Sequence, residues 1–243
     1  MRIREVSDHA FQLTRLGLVN CYLLREVDGY TLIDTGITGS ADAILVAARQ
    51  LGVAMEIQRI LLTHAHADHV GSLDHLTHLL GNADVAIGER EARLLPKKPA
   101  QDRSRDAGEP QGKVKGMYPG ATSRPTHLVS DGELYGSLRC LATPGHTPGH
   151  FSFLDERDGT LYCGDAMTTV GGHLHISGWA PWYFSFPNFA TWDKPTNLES
   201  ARKIFELASL TAIEQIAPGH GPVCHLTSKV LALAIVEAER TKA

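Results

Sequence analysis

Residues 63–69 read Thr63-His64-Ala65-His66-Ala67-Asp68-His69, and the rest of the chain can be read outward from them. Four side chains able to bind a metal fall within six residues, with small alanines between them. Ile60-Leu61-Leu62 just before reads as a short buried strand. Val70, Leu73, Leu76, Leu79 and Leu80 just after recur at helical spacing until Gly81 closes the run. The donors are therefore expected on a strand-to-helix loop. In extended backbone, residues two apart point the same way, so His64, His66 and Asp68 converge there, whereas a helix would splay them. Histidine supplies 13 of 243 residues, so this density at one strand end points to a metal rather than to a polar loop.

The length fits one large domain with a substantial core. An apolar fraction of 43% and a charged fraction of 21% are those of an ordinary globular chain. A net charge of -4 makes no electrostatic case for nucleic acid or an anionic membrane. The N-terminal segment lacks the apolar core of a signal peptide, and no apolar run reaches membrane-spanning length. Cys21, Cys140, Cys163 and Cys224 form no CxxC pair and lie in or beside apolar segments. They read as buried free thiols, in keeping with a reducing cytoplasm.

The same design recurs along the chain. Residues 18–24 and 30–33 form a hairpin signal around Asp28-Gly29, and the second strand ends in Asp34-Thr35-Gly36. A helix capped by Ser40 or Asp42 follows, with Ile44, Leu45, Ala48 and Leu51 on one face. Residues 85–87 read as a strand and 89–95 as a short helix. Between 96 and 125 lie five of the twelve prolines, several glycines and many charges. That stretch is a long surface excursion, either a solvated loop or a lid. Further on, apolar strands end in Pro144-Gly145-His146, Gly164-Asp165 and Pro218-Gly219-His220. Counting Asp34 and His64, five short strands deliver a histidine or an aspartate at their C-terminal ends. One shared site at a sheet rim is the economical reading. Helical segments at 198–208 and 226–240 cover the strands.

Together these stretches resemble the metallo-β-lactamase-fold hydrolases, over nearly the whole chain. The supporting segments are 32–36, 63–69, Thr143-Pro144-Gly145-His146-Thr147-Pro148-Gly149-His150, Gly164-Asp165 and Ala217-Pro218-Gly219-His220. The lactonase and glyoxalase II-like branch is the most similar. The resemblance implies an α/β (α+β) fold, a four-layer αβ/βα sandwich, here as a single domain over 1–243. It implies that His64, His66 and His146 hold a first metal ion, that Asp68, His69 and His220 hold a second, and that Asp165 bridges them. Two divalent ions, zinc foremost with iron, manganese or cobalt as alternatives, suit that donor set. Asp34 matches an aspartate beneath the site that would orient a ligand, although turn capping alone also explains it. His150 reads either as support for the site or as a surface histidine. Ala67 stands where the family more often has glycine.

Asp165 argues against a true β-lactamase, and His66 against the flavodiiron redox relatives. What the resemblance implies is hydrolysis of a lactone or ester carbonyl by a metal-bridging hydroxide, acyl-homoserine lactones included. Asp68 would be ligand and proton carrier in one. A glyoxalase II-like thioesterase is the alternative, and an iron-dependent dioxygenase the alternative of another class. Residues 179–192 hold Trp179, Trp182, Tyr183, Phe184, Phe186, Phe189 and Trp192, including all three tryptophans. These rings either line a pocket for an apolar or aromatic part of a small-molecule substrate or fill a core or dimer interface. In the first reading Tyr183 contacts the substrate carbonyl. A homodimer is expected by analogy only.

Overall fold

The computed structural model describes residues 1–81, 83–211 and 213–241, with the backbone alone at 55. The chain divides into two compact units, one of residues 1–102 with 117–129, the other of 103–116 with 130–243. Among the described residues no helix is long and apolar enough to cross a membrane.

The first unit is a seven-stranded sheet whose strands neighbour one another in chain order. β1 (Arg2–Ser7), β2 (Ala10–Arg15), β3 (Val19–Glu26) and β4 (Gly29–Ile33) form an antiparallel meander. From β4 the pairing turns parallel through β5 (Ile57–Leu62), β6 (Asp84–Gly88) and β7 (His127–Val129). Parallel neighbours need crossovers, and helices supply them. α1 (Ala41–Gln50) joins β4 to β5 and buries Ala41, Ile44, Leu45, Ala47 and Ala48 on one face. Ser40 stands at its N-cap, but its side chain makes no capping bond.

After β5 the single helix expected from Val70 onward is two. α2 (Ala67–Val70) is one turn long, and α3 (Leu73–Leu80) buries Leu73 and Leu76. The break falls at Gly71, where a Cβ would lie 2.4 Å from the Ala67 carbonyl oxygen and from the Thr38 amide nitrogen. A glycine lets this turn press against the loop after β4, and Gly71 N–H donates to the Gly36 carbonyl at 2.9 Å. α4 (Glu89–Ala92) is a single turn.

The second unit is a six-stranded sheet in the order β15-β14-β11-β10-β9-β8. Its strands are β8 (Leu134–Tyr135), β9 (Leu138–Ala142), β10 (Phe151–Asp155), β11 (Thr160–Gly164), β14 (Gln215–Pro218) and β15 (Cys224–His225). β12 (Met167–Thr168) and β13 (His175–Ile176) make a separate antiparallel pair. α5 (Phe186–Ala190) precedes two longer helices, α6 (Lys194–Leu210) and α7 (Ser228–Arg240). Asp193 caps α6 by accepting from Thr196 N–H, and Thr227 caps α7 by accepting from Val230 N–H, each worth about 1 kcal/mol. Leu198, Ala201 and Ile204 of α6 and Leu231, Ala234, Ile235 and Ala238 of α7 pack with Leu141, Leu154, Leu161 and Ile216 of the sheet. Burial of each leucine or isoleucine among them contributes about 1.5–3 kcal/mol.

The excursion between 96 and 125 is exposed over 102–108 but not throughout. Val114, Tyr118 and Ala121 are buried, and Ala121 bridges to Pro96.

Candidate metal centre

In the first unit, strand register explains why residues far apart in sequence meet. β4 and β5 run parallel with Ile33 opposite Leu61, so the residue leaving β4, Asp34, lies beside the residues leaving β5. Asp34 has a φ of 59°, a left-handed conformation that aspartate tolerates better than most residues. Its buried carboxylate accepts from Thr63 N–H at 2.9 Å, from the Thr63 hydroxyl at 2.8 Å and from His69 Nδ1 at 2.7 Å. Turn capping alone does not account for that set.

These contacts fix protons. A carboxylate only accepts, so the neutral His69 ring carries its hydrogen on Nδ1 and its lone pair on Nε2. Thr63 gives its one hydroxyl proton to Asp34, so its oxygen accepts from His64 Nδ1 at 2.9 Å. His64 is thereby the same tautomer, with its lone pair on Nε2. Metal-binding histidines characteristically hold the far nitrogen in such a bond.

The local backbone differs from the sequence expectation in one respect. His66 is extended (φ -69°, ψ 156°) at the N-cap of α2, as expected, but Asp68 and His69 lie within that helical turn rather than on the loop. One turn is too short to splay them, and Asp68 Oδ2 stays 3.9 Å from His69 Nε2. The loop is secured by groups that sequence reading missed. Buried Glu91 accepts from Ala65 N–H at 2.9 Å, and the Met117 carbonyl accepts from Ala67 N–H at 2.9 Å. The Tyr118 ring lies 4.8 Å from that of His66.

The second unit uses the same device. β11 and β14 run parallel with Gly164 opposite Pro218, which sets Asp165 beside Gly219 and His220. β9 and β11 both pair antiparallel with β10, so β9 also delivers His146 to that rim, and His150 precedes β10 there. The turn before His146 needs Gly145, whose φ is 132° and where a Cβ would lie 2.1 Å from the Asn197 amide nitrogen. Thr191 donates its hydroxyl to the Pro187 carbonyl at 2.7 Å and so accepts from His146 Nδ1 at 3.2 Å. His146 therefore joins His64 and His69 in keeping its lone pair on Nε2.

His150 is buried and not a surface residue. Its Nε2 accepts from Asp165 N–H at 3.1 Å, so Nδ1 carries the hydrogen and faces the Thr143 hydroxyl at 2.9 Å. The lone pair that a metal ligand would offer is committed to the backbone of Asp165. His150 supports that aspartate.

Asp165 Oδ2 lies 3.5 Å from His146 Nε2 and 3.3 Å from His220 Nε2. Two ligand atoms on one tetrahedral ion at about 2.1 Å stand roughly 3.4 Å apart, so these are the separations of co-ligands. Each unit thus gathers its own donors: His64, His66, Asp68 and His69 on the segment after β5 in the first, and His146, Asp165 and His220 at one sheet rim in the second. With imidazole and carboxylate donors and Nε2 lone pairs set by hydrogen bonds, the residues fit a divalent metal.

The cysteines take no part. All four are free, and burial, reinforced by Asp34, holds the Cys21 thiol well above its ordinary value. The aromatic stretch splits. Trp192 is buried, Trp179 packs partly against the core, and Trp182, Tyr183, Phe186 and Phe189 are exposed. The Tyr183 hydroxyl lies where a side chain on Gly171 would stand, and the Phe184 ring is 5.4 Å from that of His220.

A fold of mixed sheets and helices with carboxylates and imidazoles gathered at strand ends defines a metal-binding α/β protein. Residues 14–220 match the model of the metallo-β-lactamase superfamily. The chain is 44% identical to the uncharacterized protein YobT of Bacillus subtilis (strain 168), covering 99% of this chain and 100% of that one. It is 29% identical to the probable metallo-hydrolase YflN of the same organism, over 84% and 81% of the two chains. A metallo-β-lactamase family protein from Thermus thermophilus, TTHA1429, superposes with a TM-score of 0.66 at 25% identity, over 98% and 81%. The chain belongs to the metallo-β-lactamase superfamily, and the α/β fold expected from its motifs is the fold it has.

Proposed function

We propose that this protein is a dinuclear metal hydrolase acting on the carbonyl of a lactone or ester with an apolar acyl part, such as an acyl-homoserine lactone. His64, His66 and His146 would hold one ion, Asp68, His69 and His220 a second, and Asp165 both, with zinc the favoured metal. The observation that carries this reading is Asp165 Oδ2, 3.5 Å from His146 Nε2 and 3.3 Å from His220 Nε2. Ions held in this way acidify water and polarise a carbonyl oxygen.

The remaining work falls to the chain. Asp34 and Thr63 hold His69 and His64 in the ligating tautomer, Thr191 does so for His146, and His150 steadies Asp165. Asp68, whose side chain keeps some solvent exposure, takes the proton of the attacking water and returns it to the leaving group. Tyr183 donates to the substrate carbonyl, and Trp182, Phe186 and Phe189, exposed neighbours in sequence, receive the apolar chain. The same reading takes the protein as cytoplasmic and as a homodimer, the first supported by its free cysteines.

The test is proton release on a pH-stat with zinc-loaded enzyme and a long-chain acyl-homoserine lactone. Metal-dependent release is expected. Silence with the metal content confirmed, alongside turnover of an acyl thioester, would overturn the lactone assignment in favour of a thioesterase. Oxygen uptake by the iron-loaded protein would overturn hydrolysis itself.

A further inference from the structure

A second donor cluster lies in the second unit, on segments that supply none of the residues assigned above. A cavity of about 330 Å³ is lined by His173, Leu174, His175, Val230, Leu233 and Glu237, among others. His173 and His175 sit two apart on the segment entering β13, and Glu237 is on α7, which packs against that strand.

His175 is 8% exposed, and neither of its ring nitrogens makes a hydrogen bond. Leaving a buried imidazole so is costly, and such groups call for an explanation. Its nearest acidic neighbour is Glu237, with Oε2 3.4 Å from Nδ1. That spacing falls between the 3.3 Å and 3.5 Å that separate Asp165 from its two histidines. An ion pair has this spacing, and so do two donors sharing one ion.

We infer that His173, His175 and Glu237 form a further site for a divalent transition metal of the kind imidazole favours, zinc, nickel or copper. Glu237 and His175 already stand at ligand spacing. His173, exposed on the cavity wall, would complete the set by a change of rotamer, with water in the remaining position. Two imidazoles and one carboxylate make a neutral-to-anionic cradle, and Leu174, Val230 and Leu233 limit the water around it. The ion would tie α7 to β13. Through Thr168, which pairs with His175 and whose hydroxyl donates to the His220 carbonyl at 3.0 Å, that tie reaches the loop of His220.

The experiment is equilibrium dialysis of the full chain against zinc, with bound metal counted by elemental analysis and the fold checked by circular dichroism. Wild type is compared with His173→Asn and Glu237→Gln, both at exposed positions that leave the core intact. Each variant is expected to bind one equivalent fewer than wild type, whatever number the other residues hold. Equal uptake in all three proteins overturns the site. Loss in Glu237→Gln alone also overturns it, since His173 would then not be a ligand.

Discussion

Replacing Asp34 by asparagine isolates the charge and proton pattern of that carboxylate, because asparagine also tolerates the left-handed backbone that Asp34 adopts at φ 59°. The side-chain oxygen can keep the bond from Thr63 N–H at 2.9 Å. The amide NH2 then occupies the place of Oδ2, which in the wild type accepts from His69 Nδ1 at 2.7 Å. Two donors face each other. Turning the amide over frees His69 but sets NH2 against the Thr63 amide, so neither orientation satisfies every partner. His69 escapes by moving its hydrogen to Nε2, which removes the lone pair a ligand needs. Loss of such a support costs about 10–100-fold in metal affinity. That corresponds to about 1.4–2.8 kcal/mol, in line with one charge-assisted hydrogen bond at about 1.5–3 kcal/mol. The assay is competition for zinc against a chromophoric chelator, with thermal unfolding run in parallel. An Asp34→Asn protein that folds and binds zinc as tightly as wild type would refute the tautomer argument.

Asp165→Ala should lose metal and turnover together, with hydrolysis down by more than about 100-fold, while circular dichroism shows the fold intact. Full activity in that variant would remove Asp165 from the site. Gly145→Ala meets both a φ of 132° and an Asn197 amide nitrogen 2.1 Å from the new Cβ, so it should lower stability by about 3 kcal/mol or more in thermal melts. Asp74 offers a pH test. Burial alone would raise its carboxyl pKa, but the N–H and hydroxyl groups of Ser123 and Thr122 outweigh that and hold it well below the usual range. The stability it contributes is full above the unfolded carboxyl value of about 3.9 and is lost as pH falls through the lowered folded value. Asp74→Asn should therefore cost about 1 kcal/mol at neutral pH, after solvent screening. In urea titrations its gap from wild type should narrow below about pH 4.

Much of this site was legible because its residues terminate strands. Short apolar runs followed closely by histidine or aspartate name Asp34, His64, His146, Asp165 and His220 from the sequence alone, the last three after a glycine or proline turn. What stayed hidden has physical reasons. β1 is mostly exposed and polar, so it carries no periodic signal, and β10, fully buried, follows the histidine motif too closely to separate from it. Glu91 and Tyr118 act on the 63–69 loop from distant points in the sequence, through packing that no local pattern encodes. Thr63 and Thr191 look like ordinary hydroxyl residues, since the direction of a hydrogen bond is not written in spacing. The split of α2 from α3 follows from the closeness of the Thr38 loop to Gly71, a tertiary contact that helical periodicity cannot register.

The parallel register of β4 and β5 has a kinetic consequence. Residues 63–69 carry four of the proposed donors in one short segment, yet the carboxylate that sets the protons of His69 arrives from β4 by way of α1. A parallel pair with its crossover is a non-local contact and forms late relative to hairpins and helices. During refolding the segment would first meet metal as a flexible histidine peptide with mobile tautomers. Tight capture should therefore lag behind helix formation and coincide with closure of the β4–β5 pair. Stopped-flow refolding in the presence of a metal indicator would time the two events.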